Sequence, residues 1–137
     1  MRVFVDTSAF YASLHAEDEH HSKAQRVLQE FRESGLKLVT TNYVLLESAG
    51  LIQRRKDFSE AHRFLSNATE TLEIIWVDEI LQRKAIAIWS EARARGLSLV
   101  DCASFAAMRQ AGIRRALAFD RHFSRHGFEV IPPPRQP

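Results

Sequence analysis

Residues 2–6 read RVFVD and residues 116–120 read ALAFD, two short apolar runs that each end in an aspartate. Both runs predict buried strands because they are short, apolar and closed by a polar residue. Segments of helical periodicity lie between and after them, which favours a parallel α/β sheet with helices on both faces. Ligands bind at the carboxyl edge of such sheets. We therefore expect Asp6 and Asp120 to lie at one functional edge.

The remaining elements follow from the same patterns. Further strands are predicted at residues 36–40, 72–77 and 128–131. Helices are predicted at residues 7–14, 21–34, 42–55, 59–68, 79–95 and 100–111. Gly35 and Gly96 are expected to end the second and fifth of these helices. Together the elements predict one domain over residues 1–131, followed by a flexible, proline-rich tail at 132–137.

The composition narrows the class of protein. The chain has 137 residues, of which 45% are hydrophobic and 26% charged, as is typical of one globular domain. Its longest run without a charged side chain, residues 7–16, is too short to span a membrane. Cys102 is the only cysteine, which excludes an intrachain disulfide and favours a reducing compartment. Asp6 interrupts the apolar segment that a signal peptide needs. We therefore expect a cytoplasmic protein with no membrane partner.

Charge is distributed unevenly along the chain. Residues 1–79 carry 9 Lys and Arg against 13 Asp and Glu, whereas residues 80–137 carry 10 against 4. A basic, arginine-rich half fits a nucleic-acid partner because the guanidinium group matches phosphate geometry, and a solvated helix surface is the alternative. The arginines that flank the candidate acids are the expected phosphate contacts. They are Arg93, Arg95, Arg114, Arg115 and Arg121.

Two further acids lie in apolar helical segments. Glu47 lies in TNYVLLESAGLI and Asp101 in LSLVDCASFAAM, and most of their neighbours along the helix face are apolar. Burying such an acid is unfavourable unless it is paired, and no Lys or Arg lies within four residues of Glu47. A buried, hydrogen-bonded carboxylate is the alternative for these two acids, as helix capping is for Asp6 and Asp120.

If the four acids converge, their mutual repulsion requires a cation. Their oxygens are hard ligands with no cysteine or histidine among them, which favours Mg²⁺ or Mn²⁺. A zinc site built from His15, His20 and His21 is the weaker interpretation because their spacing fits no zinc motif, and we expect these residues in a surface loop. Cys102 is expected to be a buried small residue rather than a nucleophile.

The order and surroundings of the four acids resemble a known family. Asp6 lies in DTSAF, Glu47 in an early helix, Asp101 in SLVDCAS and Asp120 in AFDRHF. This arrangement resembles the PIN domain, and in particular the VapC-type toxin ribonucleases of bacterial toxin–antitoxin pairs. The resemblance covers about residues 2–131. It implies a three-layer sandwich whose five-stranded parallel sheet has the order 3-2-1-4-5.

The resemblance also implies an activity, the cleavage of single-stranded RNA with Mg²⁺ or Mn²⁺. A cognate antitoxin that covers the acidic pocket would inhibit this endoribonuclease. All four acids would be catalytic, with Asp6 and Asp101 holding the metal and with Glu47 and Asp120 acting directly or through water. The basic residues named above would then contact the RNA backbone.

Supporting residues and partners complete this expectation. Ser8 matches the family's hydroxyl near the metal, and Thr7 is its neighbour. Many members carry Thr or Ser just before the fourth acid, where this chain has Ala118 and Phe119. We also expect a homodimer, with the helical section 44–68 as a surface for a second copy or for the antitoxin.

Two other classes of function stay open at this point. A receiver-like signalling domain is also a five-stranded parallel module with acids at strand ends, but it would carry adjacent acids after the first strand and a lysine after the last. A non-catalytic module that binds RNA or protein would need none of the four acids. Cleavage of single-stranded RNA with and without EDTA discriminates among these classes.

Overall fold

The computed structural model describes residues 1–133, and in this part of the chain five strands alternate with seven helices. The strands are β1 Arg2–Val5, β2 Lys37–Thr41, β3 Glu73–Ile75, β4 Arg115–Leu117 and β5 Glu129–Ile131. The helices are α1 Thr7–Leu14, α2 His21–Ser34, α3 Asn42–Arg55, α4 Phe58–Thr71, α5 Glu79–Ala92, α6 Leu99–Ala111 and α7 Arg121–Arg125.

All five strands run parallel in the order β3-β2-β1-β4-β5, so the predicted fold class and strand order are confirmed. In the centre of the sheet, Phe4 of β1 pairs with Val39 of β2 and Ala116 of β4. All three side chains are fully buried. Successive strand residues point to opposite faces, so burial along β1 requires helices on both sides of the sheet.

The helices begin where short polar side chains can cap them. The Thr41 hydroxyl accepts from the Val44 N–H at the start of α3, and an Asp78 carboxylate oxygen accepts from the Leu81 N–H at the start of α5. Such caps satisfy N–H groups that have no partner inside the helix. Within residues 1–133, no helix combines the length and apolar character needed to cross a membrane.

Helix α5 ends earlier than predicted. Its last residue is Ala92, and Arg93 follows in a left-handed conformation with φ of 45°. Gly96, the expected helix end, lies in the next loop. The prediction assumed that the helix would end at a glycine, because glycine adopts the left-handed conformation more readily than other residues. It was wrong because Arg93 adopts this conformation three residues before Gly96.

The predicted tail is described only at its start. Strand β5 ends at Ile131, and Pro132 and Pro133 follow it after a cis peptide bond between Ile131 and Pro132. Residues 134–137 of the tail lie outside the described residues. The boundary at residue 131 and the flexibility of the tail stay predictions.

Candidate metal centre

Asp6 lies directly after β1 and caps helix α1. One of its carboxylate oxygens, Oδ2, accepts from the Ser8 N–H at 3.2 Å and from the Ser8 hydroxyl at 2.7 Å. The other oxygen accepts no hydrogen bond within residues 1–133. The side chain is only 3% exposed. Asp6 therefore does cap the helix, as the alternative interpretation expected, but its second carboxylate oxygen is not used by the cap and could bind a ligand.

Asp120 lies just beyond β4, the strand beside β1, and is arranged in the same way. Its Oδ1 accepts from the His122 N–H at 2.8 Å and caps α7. The residue before it, Phe119, donates its N–H to the Ser8 hydroxyl oxygen at 2.9 Å. Ser8 thus ties the end of β4 to Asp6, so that both acids are held at the carboxyl edge of the sheet.

Asp101 reaches the same edge from the first turn of α6. Its Oδ2 accepts from the Ser98 N–H at 3.1 Å, and the Ser98 hydroxyl accepts from the Asp101 N–H at 3.0 Å. This reciprocal capping box fixes the side chain. Asp101 is 7% exposed, and its Oδ1 accepts no hydrogen bond within residues 1–133. Each of the three aspartates therefore uses one oxygen for capping and leaves the second unused.

Glu47 differs from the expectation. It lies on α3 with its side chain exposed, and the adjacent Leu46 is 68% exposed. The apolar neighbours in the sequence do not bury it because this part of α3 faces solvent. The Glu47 charge nevertheless contributes to raising the pKa of Asp101. Its predicted place near the other acids is therefore consistent with the electrostatics, whereas the alternative, a buried and hydrogen-bonded carboxylate, does not apply to Glu47.

The electrostatics show that the acids act on one another. Burial raises the pKa of Asp6 to about 7, against the lowering effect of its bonds to Ser8, and the charges of Asp101 and Asp120 raise it further. Burial also raises the pKa of Asp101 to about 6, and the Asp120 charge adds to this shift. Raised pKa values of this kind mean that the charged forms are unfavourable without a compensating cation.

In the described part of the chain, no basic side chain supplies that cation. Within residues 1–133, none of the ion pairs includes any of the four acids. No three acidic, histidine or cysteine side chains in this part of the chain lie close enough to form a complete metal cage. Mg²⁺ commonly binds through one or two carboxylates and keeps several waters. The unused aspartate oxygens fit a hydrated Mg²⁺ or Mn²⁺ and do not fit a closed zinc site.

The histidines do not form an alternative metal site. His15 is buried and stacks on Tyr11 at 3.7 Å between ring centroids, so its expected surface position was wrong. The Nδ1 of His21 bonds to the Ala12 carbonyl oxygen. Cys102 is fully buried, which confirms its interpretation as a small core residue, and burial raises the pKa of its thiol to about 11.

The predicted arginines divide between the two edges of the sheet. Arg93 and Arg95 are exposed in the loop before α6, and Arg121 is exposed beside Asp120. This loop lies near α7, since a Cβ atom added to Gly96 would lie 3.7 Å from the His122 Nε2. These three arginines therefore lie on exposed segments next to those that carry Asp101 and Asp120.

Arg114 and Arg115 lie at the other edge. Arg115 begins β4, and the Arg114 carbonyl oxygen accepts from the N–H of Glu129, which begins β5. Strand β4 thus separates both residues from Asp120. Their closeness to Asp120 in sequence suggested a shared surface, but a parallel strand carries its two ends to opposite edges.

Ser98 and His20 were not recognised as site residues from the sequence. Ser98 could have been found, because a serine three residues before an acid at a helix start is the pattern of a capping box. His20 stacks on Phe119, with ring centroids 4.3 Å apart. No pattern in the sequence indicates that His20 and Phe119 are in contact.

Comparison with protein families matches residues 3–129 to the PIN domain. The chain belongs to the PIN domain family. The 23S rRNA-specific endonuclease VapC20 of Mycobacterium tuberculosis is 33% identical over 134 residues, which cover 96% of this chain and 98% of VapC20. A VapC ribonuclease of Archaeoglobus fulgidus is 26% identical, over 90% of this chain and 80% of the relative.

Solved structures agree with this family. The crystal structure of Mycobacterium tuberculosis VapC20, a Sarcin-Ricin loop cleaving toxin, matches with a TM-score of 0.81 and 33% identity, over 92% of this chain and 95% of that one. VapBC2 from Rickettsia felis, bound to a DNA fragment from its promoter, matches with a TM-score of 0.70. At 14% identity over 95% of this chain and 97% of that one, the second match shows the PIN fold alone. The predicted resemblance to VapC-type PIN domains is confirmed, and a receiver-like domain is set aside.

Proposed function

We propose that this PIN domain is an endoribonuclease that cleaves single-stranded RNA with Mg²⁺ or Mn²⁺ and acts as the toxin of a VapBC-type pair. One observation carries the proposal. Three aspartates at the carboxyl edge of the sheet have unused carboxylate oxygens and are near enough for their charges to raise one another's pKa values, and no basic side chain within residues 1–133 pairs with them. Resemblance along almost the whole chain to VapC20, an rRNA endonuclease, supports the same activity.

Asp6 and Asp101 would hold the metal, and Glu47 and Asp120 would act directly or through water. When bound, the metal supplies a water of lowered pKa and stabilises negative charge on the phosphate. The burial of Asp6 and Asp101 supports this assignment, because a cation relieves the cost that raises their pKa values.

The protein's own groups hold these acids in place. Ser8 donates to Asp6 and accepts from the backbone of Phe119, so loss of its hydroxyl would loosen two of the acids together. Ser98 orients Asp101 in the same manner. The buried Thr7 hydroxyl has no hydrogen-bond partner within residues 1–133, and we assign it a supporting role at this edge.

Arg93, Arg95 and Arg121 would bind RNA phosphates, because they are exposed and flank the acids. Arg114 and Arg115 are left out of this role because they lie at the opposite edge of the sheet. VapC20 acts on 23S rRNA. The Sarcin-Ricin loop, which VapC20 cleaves, is therefore the first structured RNA to test as a substrate, together with unstructured single strands.

A protein antitoxin is the proposed regulator. Similarity to VapBC toxin–antitoxin structures supports such a partner. An antitoxin that covers the carboxyl edge with a basic side chain would neutralise the unpaired acids and exclude the metal. The buried single cysteine fits a reducing compartment, so we assign the pair to the cytoplasm.

Two copies of the chain would pair through α3 and α5. Leu46, Trp76 and Ile80 are each more than 60% exposed, which is unusual for large apolar side chains on a monomer. The Tyr43 hydroxyl donates to the Gln82 side-chain oxygen and links α3 to α5, so Leu46 and Ile80 lie on adjoining helices. An isologous contact would bury such a patch on both copies.

The expected helical section 44–68 contributes one residue, Leu46, to that patch. Leu46 and Phe58 are its two exposed large apolar side chains. The variants Trp76→Glu and Ile80→Glu should convert a dimer into a monomer in sedimentation velocity, whereas Phe58→Glu should leave it dimeric. A parent protein that sediments as a monomer would exclude this interface.

Cleavage of RNA tests the proposed activity. The parent protein is incubated with a labelled single-stranded RNA and with an rRNA loop transcript, each in millimolar Mn²⁺ and in EDTA. Cleavage in Mn²⁺ that stops in EDTA is expected. RNA that is bound and left intact in Mn²⁺ would support the non-catalytic binding module instead, and equal cleavage in EDTA would exclude a metal mechanism.

A further inference from the structure

A cleft of about 380 Å³ lies beside the acids and has no assigned role. Three segments form it: the start of α2 with the preceding loop, the turn after β4 with helix α7, and strand β5 with the two prolines that follow it. Asp120 is part of its wall, so the cleft opens onto the proposed catalytic edge. Its volume lies within the range of about 300–1,000 Å³ that small-molecule sites occupy.

Two aromatic rings stacked in parallel line this cleft. The rings of His20 and Phe119 lie 4.3 Å apart at an interplanar angle of 8°. Both side chains are half-buried and line the cleft. Nucleobases stack on aromatic side chains, and a further planar ring can extend an existing parallel stack.

The stack is held rigidly relative to the acids. The Phe119 N–H donates to the Ser8 hydroxyl oxygen, and the Ser8 hydroxyl donates to Asp6. On the other side, the Ala118 N–H donates to the Ile131 carbonyl oxygen of β5. A base on this surface would therefore lie at a fixed position relative to Asp6.

Two cations and two acids line the cleft, and the cations can contact the phosphates of an RNA strand. The cations are Lys23, which follows His20 in the chain, and Arg121, which follows Phe119. Glu19 and Asp120 also line it, and a Glu19 carboxylate oxygen lies 3.3 Å from the His20 Nε2. Cations suited to phosphates thus accompany a stacking surface, which is the combination used to bind single strands.

We propose that this cleft binds the base of a nucleotide next to the scissile phosphate, by stacking on the His20–Phe119 pair. The proposal rests on the proposed ribonuclease activity. It adds that one nucleotide of the RNA substrate must have an unpaired base in order to bind in this cleft. Such an anchor would set the distance between the bound base and the bond that the acids cleave.

The test combines a protein variant with an RNA that lacks one base. Fluorescein-labelled eight-nucleotide RNAs, one intact and others with a single abasic position moved along the strand, are titrated in EDTA at low salt. In the parent protein, one abasic position should weaken binding about tenfold, which is the size of one base–aromatic stack. His20→Ala should weaken binding of the intact RNA by a similar factor and abolish the difference between that abasic RNA and the intact one.

Matched variants separate stacking from a merely structural effect. His20→Phe retains a flat ring and should restore the tenfold discrimination, and His20→Leu, of similar size without a ring, should not. His62→Ala removes a histidine beside Phe58 in another aromatic pair, on a helix that does not line the cleft, and should bind like the parent. If circular dichroism shows His20→Ala unfolded, His20→Leu takes its place.

The outcomes distinguish this site from the activity itself. Equal losses at every abasic position, or the same pattern in the parent and His20→Leu, would overturn the base site even if the parent cleaves RNA in Mn²⁺. One sensitive position that depends on the His20 ring would support the base site, and absence of cleavage in Mn²⁺ would then overturn only the proposed activity.

Discussion

The two edges of the sheet carry the same kinds of charged side chain and use them in opposite ways. At the amino edge, Arg2 forms an ion pair with Glu73 at 3.0 Å, and Arg115 lies 3.9 Å from a carboxylate oxygen of Glu129. All four side chains are at least one-third exposed. The charges at this edge are thus paired with one another on the protein surface, where each such ion pair contributes about 0–1 kcal/mol to the free energy of unfolding.

At the carboxyl edge, Asp6 and Asp101 are buried and form no ion pair within residues 1–133. Their pKa values are raised, chiefly by burial. A fold under selection for stability alone would pair these acids or expose them. This difference between the edges supports our proposal that a cation from solution binds at the carboxyl edge.

The largest expected difference between the edges is in catalysis. Asp101→Asn should lower the rate of RNA cleavage in Mn²⁺ by about a hundredfold or more, because it removes a metal-ligand charge while keeping the shape of the side chain. Glu73→Gln, at the amino edge, should cleave at the parental rate. The measurement is the initial rate with a labelled RNA at saturating Mn²⁺. Similar rates for Asp101→Asn and Glu73→Gln would contradict the assignment.

The second difference is in the pH dependence of stability without metal. The pKa of Asp6 is about 7 in the folded protein and near 3.8 when unfolded, so the folded state binds more protons between these values. Its contribution to stability is therefore fully present at low pH and is lost as pH rises towards 7. In EDTA, the free energy of unfolding should fall by about 2–3 kcal/mol between pH 5 and pH 7 because of Asp6.

Urea unfolding at several pH values measures this contribution. Asp6→Asn should remove that fall and be at least as stable as the parent at pH 7 in EDTA. Glu129→Gln should retain the parental profile. The parent and Asp6→Asn differ at this one residue, so the difference between their profiles isolates the contribution of Asp6. A parent whose profile matches that of Asp6→Asn would show that Asp6 is not a buried, unpaired acid.

The smallest difference concerns the arginines near each edge. Arg95→Ala and Arg121→Ala should each reduce the slope of log affinity against log salt for single-stranded RNA by about 0.7, the value of one phosphate contact. Arg114→Ala should leave the slope unchanged because Arg114 lies at the amino edge. Anisotropy titrations in EDTA avoid cleavage. Equal slopes for all three variants would mean that RNA reaches the acids without these arginines.

Much of this arrangement follows from local sequence patterns. The apolar runs that close on Asp6 and Asp120 identify strands β1 and β4, and the unpaired Asp101 stands out in an apolar helix start. Parallel strands bring their carboxyl ends together, so the meeting of Asp6 and Asp120 follows from the fold class. The strand order and the metal-binding roles came from the family resemblance rather than from these patterns.

The features that the sequence did not reveal depend on three-dimensional proximity. Arg114 is close to Asp120 in the chain but lies at the other edge, because strand β4 stands between them. His20 and Phe119 are distant in the chain but stack in the folded protein. Glu47 has apolar neighbours along its helix face and is nevertheless exposed. Local periodicity describes single elements and carries no information on such contacts.

Thermal unfolding with and without Mn²⁺ tests the central claim most directly, because it requires neither a substrate nor an antitoxin. A ligand at a hundred times its dissociation constant stabilises the folded state by about 2.7 kcal/mol, which for a domain of this size raises the melting temperature by about 10 °C. We expect that rise for the parent and for Glu73→Gln on replacing EDTA with saturating Mn²⁺, and none for Asp101→Asn. A parent that melts at the same temperature in EDTA and in Mn²⁺, or an Asp101→Asn variant that gains as much as the parent, would contradict a cation site at the carboxyl edge.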